Sequence, residues 1–329
     1  MTAGAKSDPP SSILHPRPVL VAGPTAAGKS EIALLLAEKI GGEIISVDSM
    51  QVYRGLDIGT AKPSAADRAR VPHHLIDVVE LNEPFDAAKF VQLARQAVAA
   101  IQSRGRVPIL CGGTGLYFKA FLEGLGEAPP ADLKLRAELA AVPLEELLRE
   151  LAERDPATYE KIDRQNPRRV IRAVEVIRLT GKPFSAQRAR WGETPGEPPP
   201  GTATPGSRGR SPCQPVHVLG LTRRTADIQD RINIRVDDMF RRGLVAETEQ
   251  LLRRGLAHNQ TALQALGYRQ VAEHLRGERS LKETIGLVKV RTRQFARRQL
   301  TWFRRQLQLD WIELAPTDKP DAFVKRFTI

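Results

Sequence analysis

The 329-residue sequence contains little cysteine and no long apolar run, and both absences narrow what the protein can be. Its two cysteines, Cys111 and Cys213, have neither a CxxC partner nor a histidine at metal-ligand spacing, which argues against a zinc site and a disulfide framework. No stretch approaches the roughly 18 consecutive apolar residues that a membrane span requires. Residues 1–16 lack the apolar segment of an export signal and are predicted to form a disordered tail. These absences predict a cytoplasmic protein without a membrane segment.

Charge is the strongest compositional signal. Lysine and arginine together number 50, against 38 aspartate and glutamate residues, which gives a net charge of +12. Such an excess favours a polyanionic partner, with nucleic acid as the first candidate. A basic surface that is merely solvated would give the same count, so charge alone leaves both interpretations open.

Residues 23–30 read GPTAAGKS and lie between an apolar run and a helical pattern. This is the P-loop pattern GxxxxGK[ST], in which backbone N–H groups surround phosphate oxygens at the start of a helix. Lys29 would reach the terminal phosphate, and the Ser30 hydroxyl could hold Mg²⁺. The motif indicates a bound di- or triphosphate but leaves open what that phosphate is attached to.

The chain after the P-loop does not supply the usual acid of a P-loop hydrolase. The strongest later strand, VPILCGG, runs into Thr114 without an acid, whereas EIISVDS closes on Asp48. Asp48 could be the Mg²⁺ ligand of a kinase, or it could be a general base beside the phosphate site. Because the carboxyl ends of parallel strands converge, Asp48 and Thr114 are expected to meet Lys29 in one crevice.

Alternating strand and helix patterns predict an α/β fold. Strand patterns at PVLVAG, GGEIISVDS, HHLIDVVE and VPILCGGTG alternate with helical patterns at SEIALLLAEKI and AAKFVQLARQAVAAIQSRG, which favours a parallel sheet covered on both faces. The later strand VHVLGL is expected to rejoin this sheet, and LDWIEL is a further short strand. The predicted organisation is a core of residues 17–121 and 216–314, a helical insertion at 122–190 and a disordered Pro/Gly-rich loop at 191–215.

Several sequence blocks together resemble the tRNA dimethylallyltransferase family, also called the tRNA isopentenylpyrophosphate transferase family. The resemblance runs from residue 18 to residue 312 and rests on the order and spacing of the blocks. They are GPTAAGKS (23–30), SVDSMQVYRGLDIGTAKP (46–63), PHHLID (72–77), GGTGLYFKA (112–120), NPRRVIRAVEV (166–176), RINIRVDDM (231–239), ALGYRQ (265–270) and TRQFARRQLTWFRR (292–305).

The resemblance implies a reaction, a fold and partners. Family members transfer a dimethylallyl group from its diphosphate to N6 of the adenosine immediately 3′ of the anticodon in tRNA. Their P-loop holds the diphosphate of the prenyl donor rather than a nucleotide, and Mg²⁺ is the expected cofactor. The implied architecture is a P-loop NTPase-like parallel sheet flanked by helices, with a helical insertion that grips the anticodon stem-loop. Nothing in the sequence demands more than a monomer.

Two features depart from the family pattern. Ala27 stands where the family loop GPTASGK has a serine, which removes one hydroxyl from the phosphate site. The loop predicted at 191–215 is also longer than the usual family connection.

Prenyl transfer requires stabilisation of the departing diphosphate. Lys29, the loop N–H groups and Mg²⁺ at Ser30 would supply it, with Thr25 as a second possible metal contact. Arg231 shares a helical face with Arg235, and family similarity places Arg231 on the diphosphate. The predicted diphosphate site consists of Gly23, Pro24, Thr25, Ala26, Ala27, Gly28, Lys29 and Ser30.

The acceptor side requires a proton acceptor and a site for an unstacked base. Asp48 would take the proton that the amine sheds, and Thr114 would hydrogen-bond near the reacting centre. Arg168 and Arg172 share a helical face suited to RNA phosphates, and Arg136 matches a family tRNA contact. The predicted tRNA-binding residues are Asp48, Ser49, Met50, Gln51, Thr114, Arg136, Arg168, Arg169, Val170, Ile171, Arg172, Gln264, Ala265, Leu266, Gly267, Tyr268 and Arg269.

Three aromatic side chains allow alternative interpretations. Tyr268 could stack on a base beside Arg269, or it could pack in the core. Phe295 and Trp302 share a stripe with Gln299 in the block RTRQFARRQLTWFRR, and both aromatics are predicted to be core residues. The arginines of that block would face RNA or solvent.

Two other functions compete with prenyl transfer. A small-molecule or nucleotide kinase would explain the P-loop, an Asp48 metal ligand and an arginine-rich lid near Arg168, but neither the net charge nor the downstream blocks. A non-catalytic RNA-binding protein with a vestigial P-loop would tolerate the loss of Asp48.

Overall fold

The computed structural model describes residues 16–125, 128–188, 217–259, 261–318 and 320–325. These residues form two compact units. One contains the residues up to Leu122 together with those from residue 217 onward, and the other contains those from Glu123 to Arg188. Residues 1–15 of the predicted tail, the predicted loop at 191–215 and Cys213 lie outside the described residues.

In the described part of the first unit, six strands form one parallel sheet in the order β3-β2-β4-β1-β5-β6. The strands are β1 (Val19–Ala22), β2 (Gly42–Val47), β3 (His73–His74), β4 (Val107–Gly112), β5 (His217–Arg223) and β6 (Asp310–Leu314). This sheet confirms the predicted α/β fold class. Strand β5 pairs with β1, with Leu219 opposite Val21, which confirms that VHVLGL rejoins the sheet.

Helices cover the sheet and build the second unit. They are α1 (Lys29–Ile40), α2 (Ala65–Arg70), α3 (Ala87–Ser103), α4 (Gly115–Glu123), α5 (Leu133–Ala140), α6 (Leu144–Arg154), α7 (Pro156–Lys161), α8 (Pro167–Thr180), α9 (Phe184–Arg188), α10 (Thr225–Arg241), α11 (Leu244–Arg253), α12 (Tyr268–Leu275), α13 (Leu281–Gln306) and α14 (Pro320–Lys325). None of the helices in the described ranges is both long and apolar enough to cross a membrane.

The continuous apolar run of β1 is explained by its position in the middle of the sheet. All four of its residues are fully buried. Leu20 belongs to the core cluster that includes Phe90 of α3, whereas Val21 belongs to the cluster that includes Ile32 of α1. A strand that is covered on both faces needs apolar side chains at every position rather than at alternate positions.

The predicted strand HHLIDVVE is wrong beyond its first two residues. Only His73–His74 pairs as a strand, since Leu75 and Asp77 take left-handed backbone angles, with φ of 61° and 57°. The Asp77 carboxylate accepts a hydrogen bond from Lys62 at 2.5 Å, and the Asp77 N–H donates to Gln51 O at 3.1 Å. These contacts turn the chain onto the loop that follows β2 instead of continuing along the sheet edge.

The second unit has its own apolar core. Leu139 of α5, Leu147 and Leu151 of α6, and Val170 and Val174 of α8 are all buried in one cluster. Helix α8 starts as the sequence predicts: the side chain of Asn166 accepts a hydrogen bond from the third helical N–H, and Pro167 occupies the first helical position. The local sequence therefore sets both the start of α8 and the face that it buries.

Candidate active site

The P-loop connects β1 to α1 and depends on glycine at both ends. Gly23 has φ of 147°, and a Cβ atom there would lie 2.2 Å from the carbonyl oxygen of Leu221 on β5. Gly28 has φ of 98° and forms the N-cap of α1. Both positions exclude an L-side chain, which allows the loop to turn tightly against the sheet before the helix begins.

Three cationic side chains hold backbone carbonyl oxygens of the loop. Lys29 Nζ donates to Pro24 O at 2.7 Å. Arg231 Nε donates to Ala26 O at 3.0 Å, and Arg223 Nε donates to Ala27 O at 3.2 Å. The loop is therefore held in place by positive charge on several sides, from α1, β5 and α10.

A cleft of about 550 Å³ opens beside the loop. Four basic side chains and two acidic ones line it, so its walls favour an anion. The lining residues are Ala26, Gly28, Lys29, Ser30, Glu31, Arg231, Ile234, Arg235, Asp238 and Arg241. Arg231 and Arg235 share a helical face, as their spacing predicts, and that face lies at the P-loop, where the family resemblance places Arg231.

Burial makes the charged forms of two cleft side chains, Lys29 and Arg235, less favourable. Desolvation lowers the pKa of Lys29 to about 8, with a further lowering from nearby Arg235, while the Asp48 carboxylate acts in the opposite direction. Desolvation also lowers the pKa of Arg235, and Asp48 counteracts it. A bound diphosphate would offset this cost, because opposite charge favours the protonated forms.

The structure brings Asp48 and Thr114 together at the carboxyl ends of β2 and β4. Thr114 N–H donates to Val47 O at 3.2 Å, and Thr114 Oγ1 accepts from Ser49 N–H at 3.2 Å. Asp48 Oδ1 accepts the N–H groups of Met50 and Gln51, at 2.8 and 3.2 Å. Because both bonds go to the same oxygen, the other oxygen of Asp48 is the candidate proton acceptor.

Cys111 of β4 lies close to Lys29 and Asp48 but has no predicted role. Its thiol is unpaired and buried, and desolvation raises its pKa to about 11. A thiol with this pKa stays protonated at neutral pH and is a poor nucleophile.

The four residues of DSMQ do not present all their polar groups to a ligand. Gln51 Oε1 accepts from Ser46 Oγ at 2.8 Å, and Gln51 Nε2 donates to Thr60 O at 3.1 Å and Ala61 O at 3.3 Å. The Gln51 side chain therefore stabilises the loop that contains it rather than facing a ligand. Ser49 and Met50 are half-buried beside Asp48.

The prediction that Tyr268 stacks on a base is wrong. The ring is fully buried, its hydroxyl donates to Glu247 at 2.6 Å, and it accepts from Gly59 N–H at 3.0 Å. Ala265 and Gly267 are buried too, and Leu266 is half-buried. Of the predicted segment 264–269, Gln264 and Arg269 are the exposed residues.

The predicted RNA-binding arginines of the second unit fall into two groups. Arg168 and Arg169 are exposed at the start of α8. Arg136 and Arg172 instead bond the carboxylate of Glu175, which is fully buried, at 2.9 and 2.6 Å. Val170 is buried and cannot contact RNA through its side chain, which corrects its place in the predicted set, while Ile171 is half-buried.

Sequence reasoning missed two residues at the P-loop, Arg223 and Gln299. Gln299 of α13 contacts both the P-loop and Gly113. The sequence feature that could have identified Gln299 is its position as a polar residue between Phe295 and Trp302, which were both predicted to be core residues. Within that stripe the prediction for Phe295 is wrong, since 38% of it is exposed, and Trp302 is half-buried against Gly115.

Comparison with known proteins is consistent with this geometry. The family model described as IPP transferase matches residues 51–306. Two curated relatives are tRNA dimethylallyltransferase 1 of Citrifermentans bemidjiense, 44% identical over 90% of this chain and 91% of the relative, and tRNA dimethylallyltransferase 1 of Trichlorobacter lovleyi, 45% identical over 91% and 94%. The crystal structure of the full-length tRNA isopentenylpyrophosphate transferase from Bacillus halodurans is 38% identical, covers 94% of this chain and 93% of its own, and superposes with a TM-score of 0.66. The chain therefore belongs to the IPP transferase family of prenyl-transferring enzymes.

Proposed function

We propose that this enzyme transfers a dimethylallyl group from dimethylallyl diphosphate to N6 of the adenosine immediately 3′ of the anticodon in tRNA, and releases diphosphate. The observation that carries the proposal is the pairing of a cationic P-loop cleft, lined by Lys29 and Arg231, with the Asp48 carboxylate at the carboxyl edge of the same sheet. Such a pairing suits a reaction in which an anionic group leaves while a nearby amine loses a proton. Family membership supports tRNA as the substrate.

The leaving group would be stabilised by the cleft. As the allylic C–O bond breaks, charge builds on the bridging oxygen of the diphosphate. Lys29 and Arg231, which bond loop carbonyl oxygens in the structure, would turn part of their hydrogen bonding to the phosphate oxygens. Preorganised donors of this kind favour the transition state because the charge they meet develops only there.

The acceptor amine would lose its proton to Asp48. The exocyclic amine of adenine is a weak nucleophile, and it becomes strongly acidic as the new C–N bond forms. A carboxylate accepts a proton readily from such a developing ammonium. The two N–H bonds to Oδ1 fix the carboxylate plane, and Thr114 holds the same turn through Ser49.

Mg²⁺ fits the residues present, as a shared ligand rather than as an ion held by protein alone. Among the described residues no three His, Cys, Asp or Glu side chains cluster around a possible metal position. Mg²⁺ often takes few protein ligands and completes its shell with water and substrate phosphates. Ser30 would hold it at the cleft, with Thr25 as a second contact, and the ion would neutralise charge on the diphosphate.

Exposed arginines would bind the RNA. Arg168 and Arg169 on α8 are exposed and suit phosphate contacts; Arg269 on α12 is exposed too, but it pairs with Glu273 at 3.0 Å. We place recognition on the anticodon stem-loop, because the target base must be unstacked there. We propose a monomer as the active unit, acting in the cytoplasm where tRNA is modified.

The direct test is incubation of the protein with dimethylallyl diphosphate, Mg²⁺ and an anticodon stem-loop, followed by mass spectrometry of the nucleosides. The expected product is N6-dimethylallyladenosine at the position 3′ of the anticodon. Phosphoryl transfer from ATP to a small acceptor, without any prenyl transfer, would establish the kinase alternative instead.

Asp48→Asn tests the assigned base. The amide keeps the two backbone bonds to Oδ1 but cannot take a proton, so the rate should fall by about 10²–10⁴ with RNA binding retained. Asp86→Asn is the matched control, because Asp86 Oδ1 also accepts two N–H groups, at 3.0 and 2.9 Å, but at the start of α3. Full prenyl-transfer activity of Asp48→Asn would show that Asp48 is not the base. Cellular function that survives this substitution, in a protein that forms no prenylated adenosine, would instead favour a non-catalytic RNA-binding protein.

A further inference from the structure

Gln299 of α13 joins the two loops that form the candidate active site. Its Oε1 accepts a hydrogen bond from Thr25 N–H in the P-loop at 2.8 Å. Its Nε2 donates to the carbonyl oxygen of Gly113 at 2.9 Å. One partner is a donor and the other an acceptor, so the amide has a single orientation that satisfies both.

Gly113 is shaped for this contact. A Cβ atom at Gly113 would lie 2.4 Å from Gln299 Nε2 and 3.5 Å from the carbonyl oxygen of Gly23. A side chain at that position would therefore displace the amide. The strand end of β4, the P-loop and α13 approach one another closely only because Gly113 has no side chain.

The contact continues to the proton acceptor. Thr114, the residue after Gly113, accepts a hydrogen bond from Ser49 N–H. Ser49 follows Asp48 directly, so a short series of bonds runs from Thr25 through Gln299 to the turn that carries the carboxylate. Its first half holds the P-loop, and its second half holds the turn that carries Asp48.

We propose that Gln299 is a positioning residue that sets the phosphate loop at a fixed place relative to Asp48 and Thr114. The inference rests on the proposed prenyl transfer and names a determinant of its rate. Without the amide, the P-loop still has Lys29, Arg231 and Arg223 and still binds diphosphate. The allylic carbon would lie out of line with the amine, and a displacement of about 1 Å can cost about 100-fold in rate.

The first test compares Gln299→Met with Gln294→Met. The first variant replaces the amide by an apolar chain of similar length, and the control makes the same change at an exposed position of α13. We expect Gln299→Met to lower kcat by about 10- to 100-fold while the KM for dimethylallyl diphosphate changes by less than about threefold. The control should match the wild type, and the Tm of both variants should show that they fold.

The second test uses the isosteric variant Gln299→Glu. Its carboxylate can still accept from Thr25 N–H, but when ionised it repels the carbonyl oxygen of Gly113; when protonated it can donate to that oxygen. The ratio of variant to wild-type kcat should therefore rise as the pH falls from about 8 to about 6, because burial and a nearby carbonyl raise the pKa of a carboxyl group. Using the ratio cancels the titration of groups common to both enzymes.

The outcomes separate this inference from the function on which it rests. A wild type that forms no prenylated adenosine overturns the proposed function. An active wild type with an equally active Gln299→Met overturns the role of Gln299. A Gln299→Met variant with a raised donor KM and unchanged kcat also overturns it, since the amide would then only shape the diphosphate site. A pH-independent ratio for a folded Gln299→Glu contradicts the bond to Gly113.

Discussion

The P-loop cleft and the helical second unit are both rich in basic side chains, but they hold them in different ways. In the cleft, Lys29 and Arg231 bond the neutral backbone carbonyl oxygens of Pro24 and Ala26. In the second unit, Arg136 and Arg172 bond the buried carboxylate of Glu175, which also accepts Asp132 N–H at 2.8 Å. Lys29 and Arg231 thus have neutral partners, whereas Arg136 and Arg172 share an ionic one. Arg241, which also lines the cleft, pairs with Asp238 and is the exception there.

The difference concerns what each cation can still offer to a ligand. A cation that bonds a carbonyl oxygen keeps its full charge, and the partly desolvated cleft increases the gain from an incoming anion. A cation beside a buried carboxylate is largely neutralised, and breaking the pair would strand a buried charge. The cleft is therefore organised to bind a compact, highly charged group, whereas the Glu175 cluster stabilises the fold first and attracts RNA weakly.

The largest expected effect comes from removing Lys29. Lys29→Met should reduce the rate of prenyl transfer by about 10²–10³, because a preorganised donor to the leaving group is lost. The rate is measured at saturating RNA with a range of donor concentrations. Lys39→Met is the matched control: Lys39 lies on the same helix and also bonds a backbone carbonyl, Val324 O at 2.9 Å, away from the cleft. Equal losses in the two variants would contradict a specific role of the cleft.

The second effect concerns stability rather than rate. Glu175→Gln should lower the free energy of unfolding by about 1–3 kcal/mol, because Arg136 and Arg172 lose their ionic partner while Asp132 N–H keeps an acceptor. Chemical denaturation checks this. Glu150→Gln, which changes the less buried carboxylate that pairs with Arg178, should cost about 0–1 kcal/mol. If the two variants were equally stable, Glu175 would not be the structural centre of the unit.

The structural features that the sequence predicts correctly are those whose contacting residues lie close together along the chain or follow a general rule of sheet topology. The P-loop and the convergence of Asp48 with Thr114 follow from local patterns and from the rule that parallel strand ends meet. The start of α8 at Asn166 is equally local. Strand length at His73–His74 was overpredicted, because Lys62 and Asp77 divert the chain through side-chain contacts that no periodicity records.

Long-range contacts explain the remaining errors. Tyr268 bonds Gly59, which is 209 residues away along the chain. The local sequence around Arg269 therefore did not distinguish a buried Tyr268 from an exposed one. The partners of Gln299, Thr25 and Gly113, are 274 and 186 residues away. A lone polar residue in an apolar stripe was the available sign of a buried polar contact, since buried polar groups need partners.

The cleft also predicts a pH dependence that the second unit does not share. Desolvation lowers the pKa of Lys29 to about 8, so the ammonium is present below that pH and is lost above it. The affinity for dimethylallyl diphosphate should fall as the pH rises through about 8, by at most about tenfold per unit. Lys29→Arg should abolish this inflection, because a guanidinium remains charged. Donor KM measured between neutral and alkaline pH tests it, and an unchanged inflection in Lys29→Arg would assign it to another group.

The smallest expected effect tests whether a cation held by Glu175 still attracts RNA. Arg172→Gln should lower the slope of log binding constant against log salt concentration by less than about 1, the value for one fully lost phosphate contact, because Glu175 largely neutralises Arg172; it should weaken all RNA sequences alike. Arg178→Gln is the matched control, because Arg178 lies on the same helix and bonds Glu150 at 2.6 Å, outside the predicted RNA-binding segment. A slope that is unchanged in both variants would make the Glu175 cluster purely structural and would sharpen its contrast with the cleft. Equal reductions of the slope in both variants would contradict the contrast. The second unit would then attract RNA phosphates through its overall charge, whichever carboxylate each arginine bonds.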